Sequence, residues 1–174
     1  MIMETKDFEN ALPKILKRIG MKSSGWVGSQ LISKSPIVVE VPEDFDFKSV
    51  LGNTFKQCGI EMIYVDCKTD APDSIIAKMD SVCWYRNISP EQIEQVKQES
   101  EDDQHVSSVL LIDHYSDLKD ENAKRRIEDT LKSNKDNQLC GLKNIPLVLT
   151  FSKKEGMDFF YRNDFNIYDE RYWK

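Results

Sequence analysis

Glycine and proline are scarce here, with seven and six in 174 residues. That excludes collagen-like and low-complexity chains, and it leaves few residues for the left-handed turns that a phosphate-cradling loop requires. Histidine occurs twice, and the four cysteines, Cys58, Cys67, Cys83 and Cys140, form no CxxC pair. A zinc framework therefore lacks ligands at usable spacing, and the thiols are expected to be reduced and partly buried. We expect no metal site and no resident cofactor. No apolar run approaches the ~20 residues of a spanning helix, and Met1 leads into an acid-bearing stretch and not an apolar leader. Both point to a cytoplasmic protein outside the membrane. Cationic excess is also missing: 24 Lys and Arg stand against 30 Asp and Glu, a net charge of −6. Nucleic acid is accordingly an unfavourable partner. Five of the six charges come from Glu91 to Asp103, with six acids and one lysine, expected as a solvated surface that docks a basic partner if it docks anything.

What is present is an ordinary apolar complement, 40% of the chain, sufficient for one core. We read a single domain over 1–174, with an N-terminal helix and loop in 1–35 and a core in 36–174. Val109 to Ile112, flanked by Ser108 and Asp113, has the continuous apolar character of a strand buried on both faces. Similar strands are expected at Pro36–Val41, Ile60–Asp66 and Ile145–Phe151, with a last short one at Phe165–Tyr168. Between them lie helical patterns. Phe8 to Ile19 places Phe8, Leu12, Ile15, Leu16 and Ile19 on one face, with Pro13 either in the first turn after an Asn10 cap or inside a longer helix. Asp46 caps a helix from Phe47 to about Cys58, stopped by Gly59. Asp73 caps a short helix through Met79, and Ser89-Pro90-Glu91-Gln92 has helix-start grammar. Asp117 or Asp120 opens a helix with Ala123, Ile127 and Leu131 inward, followed by a polar connection from Asn134 to Asn144. Met21 to Ser35 reads as a loop or short pieces. Ser152 to Gly156 forms a turn, and Met157 to Tyr161 a helical turn.

Strands alternating with helices predict a three-layer α/β/α sandwich on a parallel sheet. The stretch from Pro42 to Ser49 occupies the place of a phosphate-binding loop and keeps its final Lys48-Ser49. A strand ending in Asp113, a helix from Ala123 to Leu131, and a strand ending at Ser152 follow in order. This succession resembles the nucleotide-binding core of AAA+ ATPases, and most nearly their MoxR-like branch. Asp70-Ala-Pro-Asp73, Trp84 with Ser89-Pro-Glu91, Leu142 to Ser152, and Arg162-Asn-Asp-Phe165 through Trp173 carry the same resemblance. It implies a P-loop NTPase-like fold of five parallel strands in the order 5-1-4-3-2. Because the chain stops after the last expected strand, it implies no helical lid.

The same resemblance locates losses. Pro42 and Phe47 stand at the two glycine positions of the loop, and Glu43, Asp44 and Asp46 put negative charge where phosphates would sit. Asp113 occupies the magnesium-organising position, and His114 replaces the glutamate that activates water. Ser152 replaces the sensor asparagine. Asp164 stands at the arginine-finger position, a reversal of charge where a cation is needed. The expected function is thus a non-catalytic AAA+-like domain that binds protein, either an active AAA+ ATPase or its client. Without finger and lid it should be a monomer or dimer and not a closed homohexamer. The alternative is a nucleotide-binding protein or ATPase with an altered loop, using Lys48, Ser49, Asp113 and His114 with Mg-ATP. A third, weaker reading is nucleic-acid binding through Lys153, Lys154 and Arg162. The aromatic C-terminal stretch (Phe159, Phe160, Tyr161, Tyr168, Tyr172, Trp173) serves either core packing or a docking patch.

Overall fold

The computed structural model describes residues 5–18, 21–22, 25–26, 36–57, 59, 61–82, 91, 108–137 and 146–172. Helix α1 (Thr5–Arg18) is followed by a two-residue antiparallel ribbon, β1 (Met21–Lys22) with β2 (Gly25–Trp26). Then come β3 (Ile37–Glu40), α2 (Phe47–Gln57), β4 (Glu61–Asp66), α3 (Pro72–Val82) and β5 (Ser108–Asp113). They are succeeded by α4 (Glu121–Asn137), β6 (Leu147–Phe151), α5 (Asp158–Arg162) and β7 (Asn166–Tyr168). The last five strands form one sheet in the spatial order β4-β5-β6-β3-β7. Every neighbouring pair is parallel. Counted in chain order within this sheet and read from the β7 edge, the arrangement is 5-1-4-3-2, with β5 between β4 and β6.

The continuous apolar runs follow from this placement, because helices cover both faces of the sheet. On one face, Ile37, Val39, Val109, Leu111 and Val148 pack with Phe8, Leu12 and Ile15 of α1 and Phe47, Leu51 and Phe55 of α2. On the other, Val38, Leu110, Ile112 and Leu149 meet Ile75 and Met79 of α3, Ile127 and Leu131 of α4, and Phe160 of α5. The N-terminal helix is therefore a part of the core layer. Among the described residues no helix is long and apolar enough to cross a membrane.

Of the two placements of Pro13 the structure takes the longer helix: α1 begins at Thr5, so Asn10 is not its cap, and Pro13 lies inside the helix on its exposed side. Exposure makes this tolerable, since the missing N–H and the opposed carbonyl can meet water. Other local expectations are corrected. Helix α3 starts at Pro72 and runs to Val82, so Asp73 sits in its first turn and does not cap it. Proline is well suited to that position because its N–H would be unpaired there anyway. Helix α4 continues to Asn137 and takes in Asn134; i,i+3 contacts such as Lys124–Glu121 and the cap at its start support a polar helix. That cap is Asp120, whose Oδ2 accepts the Ala123 N–H at 2.9 Å, while Asp117 belongs to a 3₁₀ turn. Gly59, at φ 72°, ends α2 in the conformation glycine permits.

Two outward backbone groups of β4 are taken up by the chain's own side chains. Lys78 Nζ donates to the Tyr64 carbonyl at 2.9 Å, and the Asp66 N–H donates to Asp70 Oδ2 at 3.0 Å. Lys78 and Asp70 are themselves 3.5 Å apart. An edge satisfied this way is a poor template for another strand. Most of Met21–Ser35, the helix start at Ser89-Pro90, Trp84, Trp173, Cys58, Cys83 and Cys140 lie outside the described residues, as does Glu91–Asp103 apart from the exposed Glu91.

Candidate functional site at the carboxyl ends of the sheet

The site expected from the sequence assembles at one edge, where β3 to β6 end. Its loop does not form a phosphate cradle. Phe45 N–H donates to the Pro42 carbonyl (3.0 Å) and Phe47 N–H to the Phe45 carbonyl (3.1 Å), so both amides are used inside the loop. Pro42, buried, has no N–H to offer. Asp46 caps α2 as expected: its Oδ1 accepts the Ser49 N–H at 3.1 Å and its Oδ2 the Ser49 hydroxyl at 2.6 Å. Those two Ser49 bonds hold the Asp46 carboxyl below its ordinary pKa. A carboxylate of the chain thus occupies the helix N-terminus, where the dipole and free amides would otherwise attract phosphate.

The aromatic residues of the loop pack against α1. Phe47 is fully buried in the α1–α2 cluster and Phe45 is half-buried. Their rings lie edge-on to Phe8, at 6.3 and 4.7 Å between centroids. Lys48 is exposed, and its ammonium stands 4.0 Å over the Tyr64 ring, a cation–π contact that turns it from the loop to β4.

Asp113 is the centre of the site. Its carboxylate, 3% exposed, accepts the Tyr64 hydroxyl on Oδ2 at 2.8 Å and the Thr150 hydroxyl on Oδ1. His114 Nε2 lies 3.4 Å from the same Oδ2, and the His114 N–H donates to Thr150 Oγ1 at 3.1 Å. A magnesium-organising acid needs a lone pair facing a ligand, and Asp113 has both oxygens turned to its neighbours. Burial and this bond push the Tyr64 phenol pKa well above its usual range, so Tyr64 stays a donor. His114 takes left-handed backbone angles, φ 58° and ψ 40°, at the point where the chain leaves β5. It serves as a turn residue tied to Asp113 and Thr150.

Ser152 is joined to Ser116. Their hydroxyls are 3.3 Å apart, and Ser116 Oγ accepts the Ser152 and Lys153 N–H groups at 3.1 and 3.3 Å. Asp164, also left-handed at φ 56°, closes α5. The Phe165 N–H reaches the Phe160 carbonyl across it (3.3 Å), and the two rings are 5.3 Å apart. That is a Schellman-type cap, at which aspartate is tolerated. Arg162 is exposed on α5. Cys67, the described cysteine, is a buried free thiol, and burial raises its pKa out of the reactive range.

Tyr64, Thr150, Ser116 and Glu40 take part without having been expected. Thr150 and Glu40 did carry a signal, each being the polar residue inside an otherwise apolar strand, where burial obliges it to find partners. Glu40 ends β3, 8% exposed, and among the described residues its Oε1 has no hydrogen-bond partner. Burial raises its pKa, Lys154 opposes this, and Glu170 and Asp169 add to it. A carboxyl whose folded pKa is raised binds more protons folded than unfolded, so its contribution is fully present below the unfolded pKa and is lost as pH rises through the folded one. Glu40→Gln should therefore match wild type in urea midpoint near pH 4 and exceed it increasingly toward pH 7. A constant difference across that range contradicts a strained Glu40 carboxylate.

Among the described residues no group of three or more His, Cys, Asp and Glu side chains could hold a metal ion. What the arrangement offers chemically is a set of mutually satisfied polar groups. No protein-family model matches this chain, and no curated protein matches it.

Proposed function

We propose that this chain is a degenerate AAA+-like domain, nearest the MoxR-like branch, which acts without hydrolysing nucleotide by binding protein and so capping or regulating an active ATPase. The observation that carries the reading is the self-capped start of α2. Ser49 gives both its amide and its hydroxyl to Asp46, and the Phe45 and Phe47 amides are spent on loop carbonyls. A triphosphate would have to displace a carboxylate already seated there and lie beside Glu43 and Asp44. The parallel order 5-1-4-3-2 supports the P-loop NTPase-like kinship, and so does the position of Asp113 at the end of β5 and of Ser152 just after β6, at the same edge of the sheet. The exposed acid at Asp164, in the finger position, supports a monomer or dimer over a closed ring.

Calorimetry with millimolar Mg-ATP is expected to give no saturable heat. A dissociation constant near ~10 µM, about −7 kcal/mol, would overturn the proposal in favour of a nucleotide-binding protein using Lys48, Ser49, Asp113 and His114.

A further inference from the structure

We infer that the corner formed by Glu40, Asp169 and Glu170 is a binding site for a basic protein segment, one of whose arginine side chains takes the place of Lys154 between Glu40 and Glu170. The inference rests on the protein-binding reading above and gives that partner a chemistry. Three carboxylates meet here at the carboxyl ends of β3 and β7, and two cations serve them. Arg171 is committed to Asp169, with Nε 2.7 Å from Oδ1 and a further bond to the Ile167 carbonyl at 3.1 Å. Lys154 is committed to Glu170, with Nζ 2.6 Å from Oε2. The Glu40 carboxyl receives the Glu170 N–H, and its Oε1 is buried without a partner among the described residues, although buried carboxylates ordinarily find donors.

Exchange at this corner is inexpensive. Lys154 and Glu170 are 45% and 41% exposed, and an exposed pair of that kind contributes about 0–1 kcal/mol. A guanidinium has five donors in a fixed fork, enough to serve Glu40 and Glu170 together, which the single ammonium of Lys154 does not do. Tyr161 is the exposed large aromatic among the described residues, and its hydroxyl donates to Asp169 Oδ2 at 3.1 Å. Its ring therefore stands beside the corner, suited to cover the stem of a long cationic side chain. The loop that follows β3 shares the sign, with exposed Glu43, Asp44 and Asp46 against Lys48, while the turn after β6 carries Lys153 and Lys154 against Glu155. The acids after β3 repel phosphate-rich ligands and draw a basic segment toward the corner.

The test is fluorescence anisotropy with a labelled oligo-arginine peptide, an oligo-glutamate peptide serving as control, in low and in physiological salt. Wild type should bind the basic peptide saturably and the acidic one not at all. Glu40→Gln should weaken binding about tenfold without loss of thermal stability, and Lys154→Ala, which removes the internal competitor, should tighten it about threefold. Equal affinity of wild type and Glu40→Gln, weaker binding by Lys154→Ala, or no saturable binding by wild type overturns the inference. The Mg-ATP titration separates the two readings. Silence toward both peptide and nucleotide removes this corner alone, while micromolar Mg-ATP binding removes the pseudo-ATPase reading whatever the peptide does.

Discussion

Asp113→Ala is expected to destabilise the protein by about 2–4 kcal/mol. In a working nucleotide pocket an acid at this position faces its ligand, and its removal leaves the fold largely indifferent. Here it receives the Tyr64 and Thr150 hydroxyls, and Thr150 in turn accepts the His114 amide. Alanine would orphan both hydroxyls at the end of a strand whose residues Val109 to Asp113 are buried. Urea unfolding measures the loss directly. Tyr64→Phe, which removes one donor and leaves Thr150 in place, should cost about 1 kcal/mol. A loss below about 0.5 kcal/mol for Asp113→Ala would mean that the carboxylate is available to a ligand, and would count against the pseudo-ATPase reading.

A second large effect is expected at Phe160, where alanine should cost about 3–5 kcal/mol. Its ring is fully buried and meets Tyr115, Phe159 and Phe165 edge-on at 5.2, 5.3 and 5.3 Å between centroids. Tyr168 is also buried, and Phe159 is packed against the core. Among the described residues the aromatic C-terminal stretch is thus mainly core, and the exposed member left for a docking patch is Tyr161, on the outer side of α5. Tyr161→Ala should accordingly leave the urea midpoint within about 1 kcal/mol of wild type, the ordinary result for a surface position. Comparable losses at Phe160 and Tyr161 would contradict this division of the aromatic residues.

Sequence pattern by itself determined the elements of the sheet and their main stops. Apolar runs bounded by polar residues located β3, β4, β5 and β6, because a strand covered on both faces must be apolar throughout. The short-range signals Asp46, Gly59 and Gly156, and Asp120 as one of two candidates with Asp117, were legible because capping and left-handed turns depend on a few consecutive residues. The lack of glycine from Pro42 to Lys48 and the acids Glu43, Asp44 and Asp46 were equally visible, since they are properties of single positions. Tertiary structure alone decided what the surviving polar residues do. Nothing in the order of the chain states that Asp113 turns its oxygens to Tyr64 and Thr150, which are 49 and 37 residues away, or that Lys48 leans over Tyr64. Glu40 was equally plain in the sequence as an acid among valines, yet its condition depends on Lys154, Asp169 and Glu170, brought to it by the ends of two other strands. Hydrogen-bond partners across a parallel sheet come from crossovers many residues long, so their identity is a property of the packed fold and not of any segment within it.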